Sequence, residues 1–161
     1  RGGSIVSLVL CLAGERGCSM GTSESATAGL VAARLTGVPG SSAVFTGSVV
    51  AYSAQAKRDL LGVPADLIAE HGLVSEETAL AMAAGAAGRI PADVVVAVTG
   101  SAGPEPLEAP PGTMVIAVRT PERAAARTLR LPGDRERART LAATGALHLI
   151  RLAVTGAWWR T

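Results

Sequence analysis

Leu30, Val31, Leu35 and Val38 recur at helical spacing and predict a helix that closes near Gly37. Before it, Cys18-Ser19-Met20 reads as a short strand, and Gly21-Thr22-Ser23-Glu24-Ser25-Ala26-Thr27-Ala28-Gly29 as a strand-to-helix turn of small and hydroxyl residues. The same pattern reading runs along the chain. Ser4 to Glu15 is an apolar helix closed by Gly17, Pro39 to Ser42 a loop, and Ala43 to Tyr52 a β-branched strand. Gln55 to Leu61 is a short helix stopped at Gly62; Pro64 opens another that Gly72 ends. Ser75 caps a long Ala-rich helix to about Arg89, with Thr78 where a capping box would carry Glu or Gln. Asp93 to Thr99 is a continuous apolar run, expected of a strand buried on both faces. After the small-residue turn Gly100 to Pro104 and a Pro-rich loop to Pro111, Thr113 to Arg119 and Ala125 to Leu131 predict two strands joined at Thr120-Pro121-Glu122. Gly133-Asp134-Arg135 opens the last helix, with Ala138, Leu141, Ala142, Gly145, Leu149 and Leu152 on its buried face.

This order predicts one layered α/β/α domain over residues 1–161 with a mixed β-sheet. The two small-residue turns, near Ser25 and near Gly100, would form a crevice at the strand ends, where such folds bind ligands.

Composition narrows the partners. A length of 161 residues suffices for a substantial core, and the net charge is only +2. The densest basic group, Arg123 to Arg139, is diluted by Glu122, Asp134 and Glu136, and there is one Phe and one Tyr, so nucleic-acid binding is not expected. Cys11 and Cys18 make neither a disulfide framework nor a zinc spacing; a reducing cytoplasm is the expected setting. His71 and His148 are isolated, and no metal or cofactor is expected. Ile5 to Ala13, following Arg1, faintly resembles a signal-peptide core but is too short to span a membrane; a buried first helix is expected instead. Trp158 and Trp159, read as exposed, suit either a homo-oligomer interface or packing on their own domain.

A strand-to-helix turn leaves the first helical N–H groups free, and with the helix dipole they attract a phosphate or a developing oxyanion. Ser25 stands at such a turn, either as a nucleophile facing the pocket or as an N-cap. Tyr52 and Lys57 follow the next strand. Neither histidine lies in a site-like turn, so a hydrolase here would use a neutral lysine as base. A free lysine, with a pKa of about 10.4, is neutral about once in 2,500 at pH 7, and lowering it to about 7.5 asks for roughly 4 kcal/mol. Burial supplies such shifts. Tyr52 could pass protons between Lys57 and Ser25, hold the ammonium, or simply pack at a strand end; Lys57 could equally be a solvated surface residue. Glu24 either orients the turn by accepting backbone N–H groups or is a first-turn acid favoured by the dipole. Gly100 to Gly103 either admits a ligand to the backbone or is an ordinary turn, and Arg135 either meets a phosphate or is a surface residue beside a capping Asp134.

The pieces ESATAGLVAARLTGVPGSSAVFTGSVVAYSAQAKRDLLGV, HGLVSEETALAMAAGA, VAVTGSAGP, PPGTMVIAV and GDRERAR keep one order across residues 9–152. In that order the chain resembles the CinA C-terminal domain family, whose stand-alone members are nicotinamide mononucleotide deamidases. The resemblance implies Ser25 as nucleophile with Tyr52 and Lys57 assisting. It also implies Ser42 and the turn at Ala102 and Gly103 as substrate contacts, with Thr27 and Gly29 around the oxyanion and phosphate; the reading of the residues themselves adds Gly100, Ala28 at the helix start and Arg135 on the phosphate. The implied function is an amidohydrolase releasing ammonia from nicotinamide mononucleotide without a metal; the alternative is a diverged module that binds a pyridine nucleotide or a protein. The family's ESCTGG stands here with Ala26 and Ala28, and its YSNEAK with Ala54 and Gln55. The glycine-rich run after AGP is the shorter Glu105-Pro106-Leu107-Glu108, and Ala109 replaces a lysine. The partner domain of longer members is not expected in these residues.

Overall fold

The computed structural model describes residues 4–159. Arg1, read above with the leader-like segment, lies outside them.

Five strands form one mixed sheet in the order β2-β1-β3-β4-β5. β1 (Met20–Glu24) pairs in parallel with β2 (Phe45–Val50) and with β3 (Val94–Ser101), while β4 (Thr113–Arg119) and β5 (Ala124–Arg130) continue the sheet antiparallel from β3. The side chains of β3 alternate across this sheet. Val94, Val96 and Val98 point to a layer containing α1 (Ile5–Glu15), α2 (Leu30–Thr36) and α6 (Arg135–Val154). Val95 and Ala97 point to the opposite layer of α3 (Ala54–Leu61), α4 (Ala65–His71) and α5 (Glu76–Ala87). Small side chains let α5 lie close: Ala79, Met82, Ala83 and Ala86 are fully buried, and a side chain at Gly85 would run into the Leu61 carbonyl. The layered α/β/α architecture with a mixed sheet is as the sequence predicts, with β3 central and buried along nearly its whole length.

Three expectations need correction. Residues 21–24 belong to β1, not to the turn. Their polarity disguises a strand paired on both sides, because Thr22 and Glu24 are satisfied inside: Thr22 Oγ1 donates to Glu24 Oε2 and accepts from Ser48 Oγ. Gly21 fits closely there, since a Cβ would lie 3.1 Å from Ile90 Cγ2 and 3.2 Å from the Gly47 carbonyl. The first helix buries only the face of Val6, Val9 and Ala13, leaving Leu8 and Cys11 exposed. Trp159 is buried, its Nε1–H donating to the Ala126 carbonyl at 3.1 Å, and half-buried Trp158 lies under the Arg123 guanidinium. Both tryptophans pack on their own domain.

Parallel pairing fixes where chemistry can gather. Glu24 ends β1 opposite Val50 and Val98, so Ser25, the Ala51–Lys57 segment and the end of β3 emerge at one edge of the sheet. No described helix is long and apolar enough to cross a membrane.

Candidate active site

Ser25 is the first residue past β1, its N–H donating to the Val98 carbonyl at 2.8 Å. Lys57 lies in the second turn of α3, which Ser53 caps by accepting from the Ala56 N–H. That helix runs back over the sheet and carries Lys57 inward until 1 % of it is exposed. The amine then meets three oxygens: Ser25 Oγ at 2.8 Å, the Ala51 carbonyl at 3.1 Å and the Tyr52 carbonyl at 3.5 Å. A neutral amine has two N–H groups and one lone pair, so with both carbonyls served its lone pair is left for the serine hydroxyl. Burial pushes the Lys57 pKa down from 10.5 to about 8, opposed by the more distant Glu108 carboxylate. Such a base is neutral in about one molecule in ten at pH 7, roughly 300-fold more often than an unshifted lysine.

Of the three readings of Tyr52, the proton relay has no support in the geometry. Lys57 touches Ser25 directly, so no phenol intervenes. The Tyr52 carbonyl accepts from Lys57 and is an alternative acceptor for the Ser25 hydroxyl at 3.4 Å, while its side chain is 59 % exposed and its hydroxyl accepts from Arg135 Nη2 at 3.0 Å. Arg135 also donates to the Gly103 carbonyl at 2.8 Å. Arg135 and Tyr52 thus bridge the mouth of a narrow cleft of about 120 Å3, bounded also by Ser25, Ala26, Gly100, Ala102 and Gly103.

The predicted anion site at the helix start is corrected too. α2 begins at Leu30, and the Glu24 carboxylate occupies its N-terminus, accepting from the N–H groups of Val31 at 2.9 Å and Ala32 at 3.1 Å. Thr27 is buried and donates its hydroxyl to Glu24 at 2.7 Å. Glu24 therefore orients the turn, the first of the two readings. The free donors lie earlier, since the backbone N–H groups of Ala26 and Thr27 have no partner among the described residues. Ala28 holds a left-handed φ of 48° and Gly29 one of 95°, and neither borders the cleft. Ser42 is exposed in the 3-10 turn Ser41–Ala43, beyond the Met20 end of β1. About five strand residues, roughly 16 Å, separate the two ends, so Ser42 does not reach this cleft.

Ser101, Arg139 and Glu108 escaped the sequence reading. Ser101 lines the cleft and its Oγ accepts from the Leu107 N–H at 3.0 Å, shaping the loop. Glu108 pins that loop by accepting from the N–H groups of Leu73 at 2.6 Å and Val74 at 3.1 Å. Arg139 binds the carbonyls of Ala26 and Thr27. Arg139 lies one turn beyond Arg135 on the same helix face, a spacing that was visible in the sequence.

Fold and site define a class: a three-layer α/β domain with a serine–lysine pair where its parallel strands end. The CinA C-terminal domain model matches residues 4–154. The chain belongs to this family. A CinA-like protein of Frankia casuarinae is 46% identical over 154 residues, covering 95% of this chain and 36% of that protein. One of Mycobacterium marinum is 48% identical, covering 96% and 36%. The chain thus spans about a third of the length of these curated relatives. The crystal structure of the competence damage-inducible protein A of Klebsiella pneumoniae superposes with a TM-score of 0.92 at 31% identity, covering 97% of both chains. A competence/damage inducible protein of Agrobacterium tumefaciens gives 0.89 at 35% identity, covering 94% of this chain and 93% of that one.

Proposed function

We propose that this domain is an amidohydrolase that deamidates nicotinamide mononucleotide to nicotinic acid mononucleotide and ammonia. The observation that carries the reading is the 2.8 Å contact between the buried Lys57 amine and Ser25 Oγ. Neutral Lys57 takes the proton of Ser25 as Oγ attacks the carboxamide carbon. The N–H groups of Ala26 and Thr27 are the donors available to the oxyanion. Collapse of the tetrahedral adduct returns the proton from Lys57 to the amide nitrogen, and ammonia leaves. Water, giving one proton to Lys57, then adds to the Ser25 ester; Lys57 returns that proton to Ser25 Oγ as the ester bond breaks, and the acid released ionises to the carboxylate.

Substrate size supports a division of the site. The cleft is smaller than the roughly 300 Å3 or more of a full small-molecule pocket, so it suits the carboxamide-bearing ring alone. Ribose and phosphate would lie at the mouth, where the exposed Tyr52 ring and the Arg135 guanidinium stand. The reading as a binding module without turnover draws on Ala28, whose φ of 48° places a Cβ where glycine would be unstrained. Ammonia release from nicotinamide, its riboside and its mononucleotide, by wild type and Ser25→Ala, tests the proposal. Turnover of the mononucleotide that the substitution abolishes is expected. Binding without turnover by wild type would leave the module reading, and equal rates on all three amides would remove phosphate recognition.

A further inference from the structure

We infer that Arg139 is a positioning residue that sets the backbone of the Ser25–Gly29 turn so that its free N–H groups face away from α6; the inference rests on the amidase reading for its kinetic consequence. The guanidinium is half-buried on α6, and no carboxylate pairs with it among the described residues. Its Nε donates to the Ala26 carbonyl at 3.0 Å and its Nη2 to the Thr27 carbonyl at 3.2 Å. This is a use of the planar arginine fork on two consecutive carbonyls, which the single ammonium of a lysine cannot reproduce with the same geometry.

Peptide planarity carries the effect forward. In a trans peptide the C=O and the following N–H point in opposite directions. Holding the Ala26 carbonyl therefore aims the Thr27 N–H away from α6. Holding the Thr27 carbonyl aims the Ala28 N–H back along the turn, where it donates to the Ser25 carbonyl at 3.0 Å. That bond in turn fixes the Ser25–Ala26 peptide and the direction of the Ala26 N–H. Ala26 borders the cleft. Arg139 is thus the one partner of the Ala26–Thr27 peptide among the described residues, and it reinforces the Thr27–Ala28 peptide, whose carbonyl also accepts from the Leu30 N–H at 3.0 Å.

The clamp has something to hold against. Ala28 sits at φ 48°, a left-handed conformation that an alanine resists and that persists where surroundings over-determine it. Glu24 fastens the far side of the turn through Thr27 and the α2 N–H groups, but touches none of the three carbonyls. Without Arg139 the Ala26–Thr27 peptide loses its one hydrogen bond among the described residues and can turn, whereas the Thr27–Ala28 peptide keeps the Leu30 N–H on its carbonyl and its own N–H on the Ser25 carbonyl, both at 3.0 Å.

The test uses Arg139→Met, Arg139→Lys and the pair Arg139→Met with Ala28→Gly in the full chain. Two readouts are taken: kcat and KM for ammonia release from nicotinamide mononucleotide, and hydrogen exchange of the Ala26–Gly29 amides. Arg139→Met is expected to lower kcat about 10- to 100-fold with KM changed by less than about 3-fold, because the cost falls on oxyanion geometry rather than on ground-state binding. Exchange of the Ala28 amide, which the Ser25 carbonyl holds, should speed at least about tenfold while the β3 and β4 amides keep their protection. Arg139→Lys should fall between, and Ala28→Gly should recover part of the lost kcat by removing the strain. Unchanged kcat and unchanged exchange in either Arg139 variant would overturn the inference, as would loss of protection spread evenly over the sheet. If wild type releases ammonia from none of the amides, the amidase reading fails by itself, and the exchange measurement alone decides the clamp.

Discussion

If Lys57 is the base, activity must follow its deprotonation. Its pKa of about 8 predicts that kcat/KM for ammonia release rises about tenfold per pH unit below 7 and levels off above about 8.5. Stability supplies an independent reading of the same group. The folded pKa lies below the unfolded value of 10.5, so the folded state disfavours the ammonium by about 3 kcal/mol. That penalty is fully present below about pH 8, where lysine is protonated in the unfolded chain. It shrinks as pH rises from about 8 to about 10.5, because the unfolded state there binds more protons than the folded one. Stability attributable to Lys57 therefore increases with pH over that window. Urea unfolding of wild type and Lys57→Met at pH 7.5, 9 and 10 isolates the term, since the substituted chain lacks the rise. The reasoning is refuted by a rate profile with its midpoint near 10.5, or by wild-type and Lys57→Met stabilities that run parallel with pH.

Other substitutions probe the frame around the pair. Glu24→Ala strands two α2 N–H groups and the Thr27 hydroxyl, and should cost about 4 kcal/mol in denaturant unfolding; a cost under about 1 kcal/mol would contradict its role in holding the turn. Ser23 Oγ is buried with no partner among the described residues, so Ser23→Ala should leave stability unchanged or raise it by about 1 kcal/mol, read from the urea midpoint. Tyr52→Phe removes the hydroxyl that accepts from Arg135 but leaves the carbonyl that holds Lys57. It should alter KM for the mononucleotide more than kcat, and a kcat loss as deep as that of Lys57→Met would restore the phenol to the proton path.

Much of this was legible from pattern alone. The apolar run through Val94–Val98, the cap at Ser75 and the stops at Gly62 and Gly72 act locally, so the chain announces them. β1 was half hidden because Thr22 and Glu24 are polar yet satisfied within the fold, and periodicity records polarity, not satisfaction. The approach of Ser25 to Lys57 depends on the register of β1 against β2 and the path of α3, neither of which a hydrophobic pattern encodes. Ser42 lies close to Phe45 in sequence, but parallel pairing sends it to the far end of the sheet. The Arg139 contacts span more than a hundred residues, so only assembled α6 brings that side chain to the turn.

The most direct examination of the Ser25–Lys57 mechanism is a rapid acid quench during turnover of nicotinamide mononucleotide, followed by mass mapping of the peptides. An ester of the nicotinoyl mononucleotide on Ser25, missing from Ser25→Ala and lost on treatment with hydroxylamine, is the predicted result. Continued ammonia release by Ser25→Ala, or an adduct on another residue, would contradict it.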